Sequence, residues 1–500
     1  KQYGAVPLDR AIAQASAGAT KKIYARDRGL IAEGMAADVI VFDYDKLTDK
    51  ATFAAPHVHS EGMQHVIVNG KLVLRDGKFT GQRPGRVLRG PGYDPDNAPY
   101  AVTTGKVGKG LEPIDDLIQD FMKQHRVPGA SLAIADRGRL VFARGYGYAD
   151  VSTRRQVEPT SLFRIASISK PITAVAILQL VEQGKLKLDD KVFDILTDYK
   201  PLLRDEEKFD ERQKQITIEH LLQHRGGWDR DKSFDAMFQS IRFARRLDVP
   251  PPAQPNDIIT CMLGEKLDFD PGTKYAYSNY GYCLLGRVIE KLTGQDYESY
   301  VKEHVLNPVG AKSTRLGHTR LSADTPPEEV RYYYPDQMPS VFADELRERV
   351  PAAYGGLNIE AMDAHGGWIS SAVDLVRFGS AYDDPKKCKV LSEASVTKMF
   401  APPGEGALSG GGNGRGSYYG CGWWCDPRGN EGKCDANHSG SLSGTATMLM
   451  RRADGRTFAI LFNARSSPDA DHFGSAIQGR LSRAIDQVEE WPEVDYYGEY

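Results

Sequence analysis

The residues with the clearest capacity for chemistry are a serine and a lysine three positions apart, Ser167 and Lys170. On a helix this spacing places the hydroxyl and the amine on one face, about one turn apart. An amine that is crowded or buried has a lowered pKa and can take the proton of the serine. The pattern Ser-x-x-Lys therefore predicts a nucleophilic serine with a lysine as its base.

The pattern Ser-x-x-Lys occurs three times in the chain, so the surrounding residues must distinguish the copies. Ser299–Lys302 and Ser395–Lys398 lie in mixed polar stretches, which are typical of solvated surface helices. Ser167 instead precedes the strongly apolar stretch from Ile172 to Val181. It would lie at a helix N-terminus, where the helix dipole favours a developing anion. The alternative is that this serine only caps a core helix.

Two further short motifs follow along the chain. Tyr277-Ser278-Asn279 is its only Tyr-x-Asn, and His438-Ser439-Gly440 comes just before a predicted strand pair. The three motifs in this order resemble the penicillin-recognising serine hydrolases. Within them they are most similar to the class C β-lactamase-like set, with its D-alanyl-D-alanine carboxypeptidases, D-amino-acid peptidases and class VIII-type esterases. The resemblance covers roughly residues 108–490.

The resemblance implies a role for each catalytic group. Ser167 is expected to become acylated, and Lys170 to act as its base or to lower the pKa of Tyr277. Tyr277 is expected to pass a proton to the leaving group and later to activate water. Backbone N–H groups of Ser167 and Ser441 are expected to form the oxyanion hole.

Substrate binding is assigned by the same resemblance to Asn279, His438, Ser439, Gly440 and Ser441. Asn279 is expected to hydrogen-bond either the substrate amide or the lysine. His438 stands where many relatives carry lysine, and a neutral imidazole gives no fixed positive charge at pH 7. This departure weakens the expectation of tight carboxylate recognition, while peptidase and β-lactamase activity both stay open.

The elements that must position these motifs follow from hydrophobic periodicity. Apolar residues recur at helical spacing from Leu111 to Met122, and a second helical stretch runs from about His472 to Glu489. Two predicted strand pairs, within 130–143 and 445–463, lie next to these helices, and the middle of the domain, roughly 160–370, reads as helical. We predict an α+β fold with a β-lactamase/transpeptidase-like antiparallel sheet, flanking helices and a helical lobe.

The first hundred residues have a different character. Asn69-Gly70 between two apolar runs predicts a β-hairpin. The stretch from Gly29 to Asp43 and later segments as far as Arg86 resemble the C-terminal end of N-acyl-D-amino-acid deacylases, which belong to the amidohydrolases. The sequence thus predicts a small mainly-β domain (1–90), a linker (91–107), the hydrolase domain (108–490) and a tail (491–500).

The deacylase resemblance implies that a barrel domain is missing from this chain. One edge or face of the small sheet should then be exposed, or covered by the hydrolase domain or by a separate barrel chain. Because the chain begins at Lys1 rather than Met, a cleaved bifunctional precursor is one hypothesis. His57-Val58-His59 is interpreted as structural, since the metal ligands of such proteins lie upstream.

The cysteines allow several interpretations. Cys421, Cys425 and Cys434 with His438 could be drawn as a zinc site, but the histidine already belongs to a catalytic motif. We expect instead a Cys425–Cys434 disulfide, with free thiols as the alternative. Neither a metal nor a cofactor is expected.

The composition of the chain limits the classes of partner that it is expected to bind. The net charge of −3 gives no basic field for nucleic acid, and no apolar run is long enough to span a membrane. The expected partner is a small-molecule or peptide substrate, in the periplasm or outside the cell. Gly404–Gly416 is predicted to be a surface loop, and the proline-rich stretch 249–255 to be irregular.

These observations lead to a functional hypothesis. The chain is interpreted as a serine hydrolase that forms an acyl-enzyme at Ser167, acting on amides or peptides that contain D-amino acids. The alternatives are an esterase for small acyl esters and a β-lactamase. A hypothesis of another class is a non-catalytic binding protein or scaffold for an amidohydrolase barrel chain.

Overall fold

A computed structural model describes residues 6–22, 28–33, 35–52, 55–85, 102–204, 208–322, 325–346, 348–404, 416–429 and 433–500. The chain divides into two compact units, 1–98 and 99–500. Most of the predicted linker, 91–101, and most of the predicted glycine-rich loop, 405–415, lie outside the described residues.

The small unit contains two short helices and one antiparallel sheet. The helices are α1 (Leu8–Ala13) and α2 (Ala19–Lys22), and the strands, in sheet order, are β1 (Val39–Phe42), β2 (Met63–Val68), β3 (Lys71–Arg75) and β4 (Lys78–Phe79). The predicted hairpin is confirmed, with Val68 opposite Lys71. Its turn residues Asn69 and Gly70 have φ of 46° and 74°, and a two-residue turn of type I′ needs a positive φ at both positions.

The apolar side chains of the small unit are poorly buried. Within its described residues none of them is fully buried, and Ile31, Leu30, Phe79 and Ile40 are 88%, 58%, 58% and 55% exposed. Burial of apolar surface is the main favourable contribution to folding, so this sheet has little core of its own.

The large unit contains the remaining elements. Its strands are β5 (Thr103–Val107), β6 (Gly129–Asp136), β7 (Arg139–Asp150), β8 (Arg155–Gln156), β9 (Phe163–Arg164), β10 (Arg315–Leu316), β11 (Gln337–Pro339), β12 (Arg349–Pro351), β13 (Trp368–Ser370), β14 (Tyr418–Tyr419), β15 (Trp424–Arg428), β16 (Lys433–Leu442), β17 (Thr445–Arg451) and β18 (Arg456–Phe462). Its α-helices are α3 (Glu112–His125), α4 (Ser169–Glu182), α5 (Val192–Ile195), α6 (Ile218–Leu222), α7 (Ser240–Leu247), α8 (Pro255–Leu263), α9 (Asn279–Thr293), α10 (Tyr297–Val301), α11 (Asn307–Val309), α12 (Asp363–Gly366), α13 (Ala372–Ser380), α14 (Glu393–Met399) and α15 (Phe473–Asp486).

A nine-stranded antiparallel sheet organises the large unit. Its order is β14-β15-β16-β17-β18-β6-β7-β5, with β8 paired to β7. The hairpins from the two ends of the domain meet where β18 pairs with β6, and Phe462 lies opposite Ala130 there. The predicted α+β fold, with a sheet built from both ends of the domain, is confirmed.

Both faces of the sheet are covered, which the alternation along β18 makes clear. Phe458, Ile460 and Phe462 belong to a core shared with helices α3 and α15, whereas Ala459 and Leu461 belong to the core under the helical lobe. Successive strand residues point to opposite faces, so an apolar strand can serve two cores. The resulting order of layers is terminal helices, sheet, helical lobe.

The borders of the large unit differ from the sequence prediction in detail. Residues 103–107, predicted as the end of a linker, form strand β5 beside β7. In the predicted tail, Tyr496, Tyr497 and Tyr500 pack against the core, and Arg377 donates to the carbonyl of Tyr497 at 3.0 Å. In the parts of the chain that the structure describes, no helix has the length and apolarity to cross a membrane.

Candidate active site

Ser167 lies in a tight 3-10 turn, 166–168, that leads directly into α4. The turn is held by Ser169 Oγ, which donates to the carbonyl of Ala166 at 2.7 Å. Ala166 has a φ of 48°, a left-handed conformation that costs free energy for a residue with a Cβ atom. Ser167 remains partly accessible, whereas the following helix is buried on all sides.

Lys170 is completely buried in the first turn of α4. Its Nζ lies 3.2 Å from Ser167 Oγ and donates to Asn279 Oδ1 and to the carbonyl of His365, each at 2.8 Å. Burial lowers the pKa of this amine well below its ordinary value, because the protein interior penalises the charged form. The predicted nucleophile and base are therefore in contact.

Asn279, the first residue of α9, is held between two partners. Its Oδ1 faces Lys170, and its Nδ2 donates to Asp235 Oδ2 at 2.7 Å. The carboxylate can only accept, so it fixes the orientation of the amide. Of the two partners expected for Asn279, the structure brings it to the lysine.

Tyr277 completes the cluster. Its ring centroid lies 4.8 Å from Lys170 Nζ, and Tyr277 lines the same cavity as Ser167. Burial raises the pKa of the phenol well above its ordinary value, so Tyr277 is protonated at neutral pH. The ring of His224 packs against it, with 4.2 Å between centroids.

Strand β16 passes alongside the Ser167 turn and carries the third motif. A Cβ atom on Gly440 would lie 2.1 Å from the carbonyl oxygen of Ile165. Thr447 Oγ1 on the neighbouring strand also donates to that carbonyl, at 3.1 Å. Only glycine allows β16 to approach the nucleophile this closely.

Replacing Gly440 by alanine is expected to lower kcat/KM about 100-fold, because the added methyl group must push β16 and the Ser441 N–H away from Ser167. The matched control is Gly479→Ala in α15, where a Cβ atom would only meet an arginine nitrogen at 3.6 Å. Steady-state kinetics of the two variants make the comparison. Unchanged activity of Gly440→Ala would show that the spacing between β16 and the turn does not matter for catalysis.

His438 is neutral, as expected. Its Nδ1 lies 2.7 Å from the carbonyl oxygen of Ser439, which can only accept, so Nδ1 carries the hydrogen. Nε2 then accepts from the hydroxyl of Tyr419 at 2.9 Å. Burial, with the nearby Lys170, lowers the pKa of the imidazole to about 3. Both ring nitrogens are thus committed to protein partners.

A cavity of about 230 Å³ lies over Ser167. Six predicted site residues line it: Ser167, Tyr277, Asn279, His438, Ser439 and Ser441. The other two lie just behind this lining, Lys170 beneath the serine and Gly440 within β16. The structure therefore brings all eight predicted residues to one place.

Several residues of the site lie outside the three motifs and were not predicted from the sequence. Arg230 and Phe238 line the cavity, Asp235 orients Asn279, and Tyr419 holds His438. They lie in stretches without a recognisable pattern. His365 contributes its backbone carbonyl oxygen to Lys170.

The remaining candidates have structural roles. The other two Ser-x-x-Lys copies are surface pairs, in which Lys302 lies 3.9 Å from Glu298 and Lys398 lies 2.6 Å from Glu219. His220 belongs to the N-terminal capping box of α6.

The expected Cys425–Cys434 disulfide is not formed, and all six cysteines are free thiols. Cys425 lies opposite Ala436 and Cys434 opposite Pro427, so the two thiols are diagonal rather than direct neighbours across the β15–β16 pair. In the described part of the chain, no group of three or more His, Cys, Asp or Glu side chains is placed to hold a metal ion.

Comparison with known proteins gives matches for both units. A family model described as Beta-lactamase matches residues 114–478, and one described as Amidohydrolase family matches residues 3–74. Penicillin-binding protein 4* of Bacillus subtilis (strain 168) is 30% identical over 369 residues, 72% of each chain. Protein flp of Staphylococcus aureus (strain MW2) is 27% identical, over 67% of this chain and 59% of its own length. The D-amino acid amidase from Ochrobactrum anthropi SV3 has the same fold, with a TM-score of 0.57 and 22% identity over 76% of this chain and 99% of that one.

Proposed function

The chain belongs to the β-lactamase and penicillin-binding-protein family of serine hydrolases, and from this premise we propose that it cleaves amide bonds of D-amino-acid substrates through an acyl-enzyme at Ser167. The observation that carries the proposal is the environment of Lys170 Nζ. A neutral amine has two N–H bonds and one lone pair. Two of its three neighbours are carbonyl oxygens that only accept, so the lone pair is left for the hydroxyl of Ser167.

The proposed reaction begins with proton transfer from Ser167 to Lys170 as Oγ attacks the substrate carbonyl carbon. Backbone N–H groups of Ser167 and Ser441 stabilise the negative charge on the carbonyl oxygen. Tyr277, protonated and next to Ser167, passes a proton to the departing amine, and the C–N bond breaks. Water then releases the acid from Ser167 by the reverse sequence of proton transfers.

Two associations support the choice of D-amino-acid substrates. One structural neighbour is a D-amino acid amidase, and the small unit matches the amidohydrolase family, in which the sequence resembles D-aminoacylases. Fold likeness alone does not determine a substrate, so the assignment needs a direct assay.

The test combines covalent labelling with paired substrates. A fluorophosphonate probe followed by peptide mapping is expected to place one adduct on Ser167 and none on Ser299 or Ser395. The p-nitroanilide of D-phenylalanine is expected to be cleaved at least tenfold faster than that of L-phenylalanine. No adduct would favour the non-catalytic binding protein. Labelling with turnover of only a p-nitrophenyl ester, or only a chromogenic cephalosporin, would identify an esterase or a β-lactamase instead.

A further inference from the structure

One wall of the cavity presents a guanidinium group that the mechanism does not use. Arg230 lines the cavity, and its side chain is 42% exposed. Its Cζ lies 4.6 Å from the centroid of the Tyr277 ring, and its Nη1 lies 3.7 Å from Asp235 Oδ2. At that separation the two side chains form an ion pair without a direct hydrogen bond. Arg230 thus approaches the reacting groups with N–H donors that this carboxylate does not take up.

The acidic neighbour of Arg230 is already occupied. Asp235 accepts from Asn279 Nδ2 at 2.7 Å and from the backbone N–H of Met237 at 3.2 Å. It lies outside the lining of the cavity over Ser167. The carboxylate therefore faces the asparagine and its own turn rather than the space in which a substrate would bind.

The charge balance of the cavity is one-sided. Apart from Arg230, its lining has no lysine, arginine, aspartate or glutamate. His438 is neutral and both of its ring nitrogens are engaged. A small cavity with one cation and no anion in its lining favours a negatively charged ligand, and a guanidinium matches the geometry of a carboxylate.

We propose that Arg230 forms a carboxylate-binding subsite and that the preferred substrates carry a carboxylate close to the scissile amide. The inference rests on the proposed amide-hydrolase function and refines its substrate class. The guanidinium stacks on the Tyr277 ring and lines the same cavity as Ser167. The carboxylate is therefore placed on a group next to the scissile bond. Phe238, 43% exposed in the same lining, offers an apolar contact beside it.

The test uses two matched substrate pairs. N-succinyl-D-phenylalanine p-nitroanilide and its succinamide counterpart place the charge on the acyl side. N-acetyl-D-phenylalanyl-D-alanine and its C-terminal amide place it on the leaving-group side. Arg230→Met is expected to raise KM for the carboxylate member of at least one pair by about 10- to 100-fold, the effect of losing one or two charge-assisted hydrogen bonds. KM for the neutral member and kcat should change less than threefold.

The control is Arg242→Met. Arg242 is 45% exposed, stacks on the Phe234 ring at 4.4 Å and pairs with Glu265 at 3.2 Å, but lines no part of this cavity. The Arg242→Met variant should leave KM and kcat unchanged for both substrate pairs. If Arg230 had only a structural role, through its packing on Tyr277, Arg230→Met would instead change KM and kcat equally for the charged and the neutral substrates.

Three results would overturn the subsite. The first is a wild-type enzyme that is labelled at Ser167 but cleaves the charged and neutral members of each pair equally well. Labelling at Ser167 without cleavage of either pair counts in the same way. The second is an equal increase in KM for the charged and the neutral substrates in Arg230→Met. The third is loss of the charge preference only in Arg465→Gln, because Arg465 donates to Ser441 Oγ at 3.0 Å on the other side of the site. Absence of labelling at Ser167 would instead refute the proposed function itself.

Discussion

Alanine in place of Ser167 is expected to lower kcat/KM by about 10⁴- to 10⁶-fold on every substrate that the enzyme cleaves. In the described part of the chain, Ser167 carries the one hydroxyl that hydrogen-bonds Lys170 Nζ. The turn should persist, since its stabilising hydrogen bond comes from Ser169 rather than from Ser167. Progress curves at high enzyme concentration measure the loss, and an unchanged melting temperature shows that the variant is folded.

Ser395→Ala is the matched control for this loss. It removes a serine from the same Ser-x-x-Lys pattern on the surface helix α14 and should retain full activity. Retention of more than a tenth of the activity in Ser167→Ala would place the nucleophile elsewhere. Ser439 and Ser441 line the same cavity and would be the next candidates.

Replacing Lys170 by methionine is expected to lower the rate of acylation about 10³-fold, within the range for loss of a general base. Lys170→Arg should lower the rate of acylation by a similar factor, because a guanidinium stays protonated and has no lone pair to accept the proton of the serine. In the wild-type enzyme, acylation should rise with pH through the lowered pKa of Lys170 and then level off. Fluorophosphonate labelling rates between pH 5 and 10 measure both effects.

The same lysine predicts a pH dependence of stability. The folded state lowers the pKa of Lys170, whereas the unfolded chain keeps the ordinary value, so between the two values the unfolded chain binds one more proton. The free energy of unfolding of the wild type, measured relative to Lys170→Met, should therefore increase with pH by up to about 1.4 kcal/mol per pH unit. Above the unfolded-state pKa the increase should stop.

Urea unfolding of both proteins at several pH values measures this difference. A difference that does not change with pH would mean that the amine has the same pKa in both states. Lys170 would then remain protonated in the fold, and the role of base would pass to Tyr277.

The elements and motifs that could be predicted from the sequence are those with local signals. The apolar alternation along β18 and the helical periodicity of α3 are properties of short segments, and so is the positive φ required at Asn69 and Gly70. The three motifs and their order along the chain were likewise sufficient to predict eight residues that the structure places together.

The parts that could not be predicted depend on contacts between distant segments. Arg230 and Asp235 become part of the site only because the loop after α6 folds against Tyr277 and Asn279. The disulfide prediction differs from the structure in the bond alone. Cys425 and Cys434 lie diagonally on adjacent strands, where their thiols interact without an S–S bond.

The proline-rich stretch 249–255 shows a smaller error of a different, local kind. It was predicted to be irregular throughout, but Pro255 is the first residue of α8. Proline is well accepted at that position, since its missing N–H would have no partner in the first turn. The position of the helix start could have been inferred from this rule.

The central pairing of β6 with β18 has a consequence for the synthesis of the protein. Asp136 and Arg456, which lie opposite each other, are 320 residues apart in the chain. At about 5 to 20 residues per second, a ribosome makes β6 roughly 15 to 65 s before its partner strand. During this interval the apolar surface of β6 and β7 has no partner on that side, and for most of it β16 and the Ser441 N–H have not been made either. We therefore expect no catalytic activity from the nascent chain until almost all of the domain has been made.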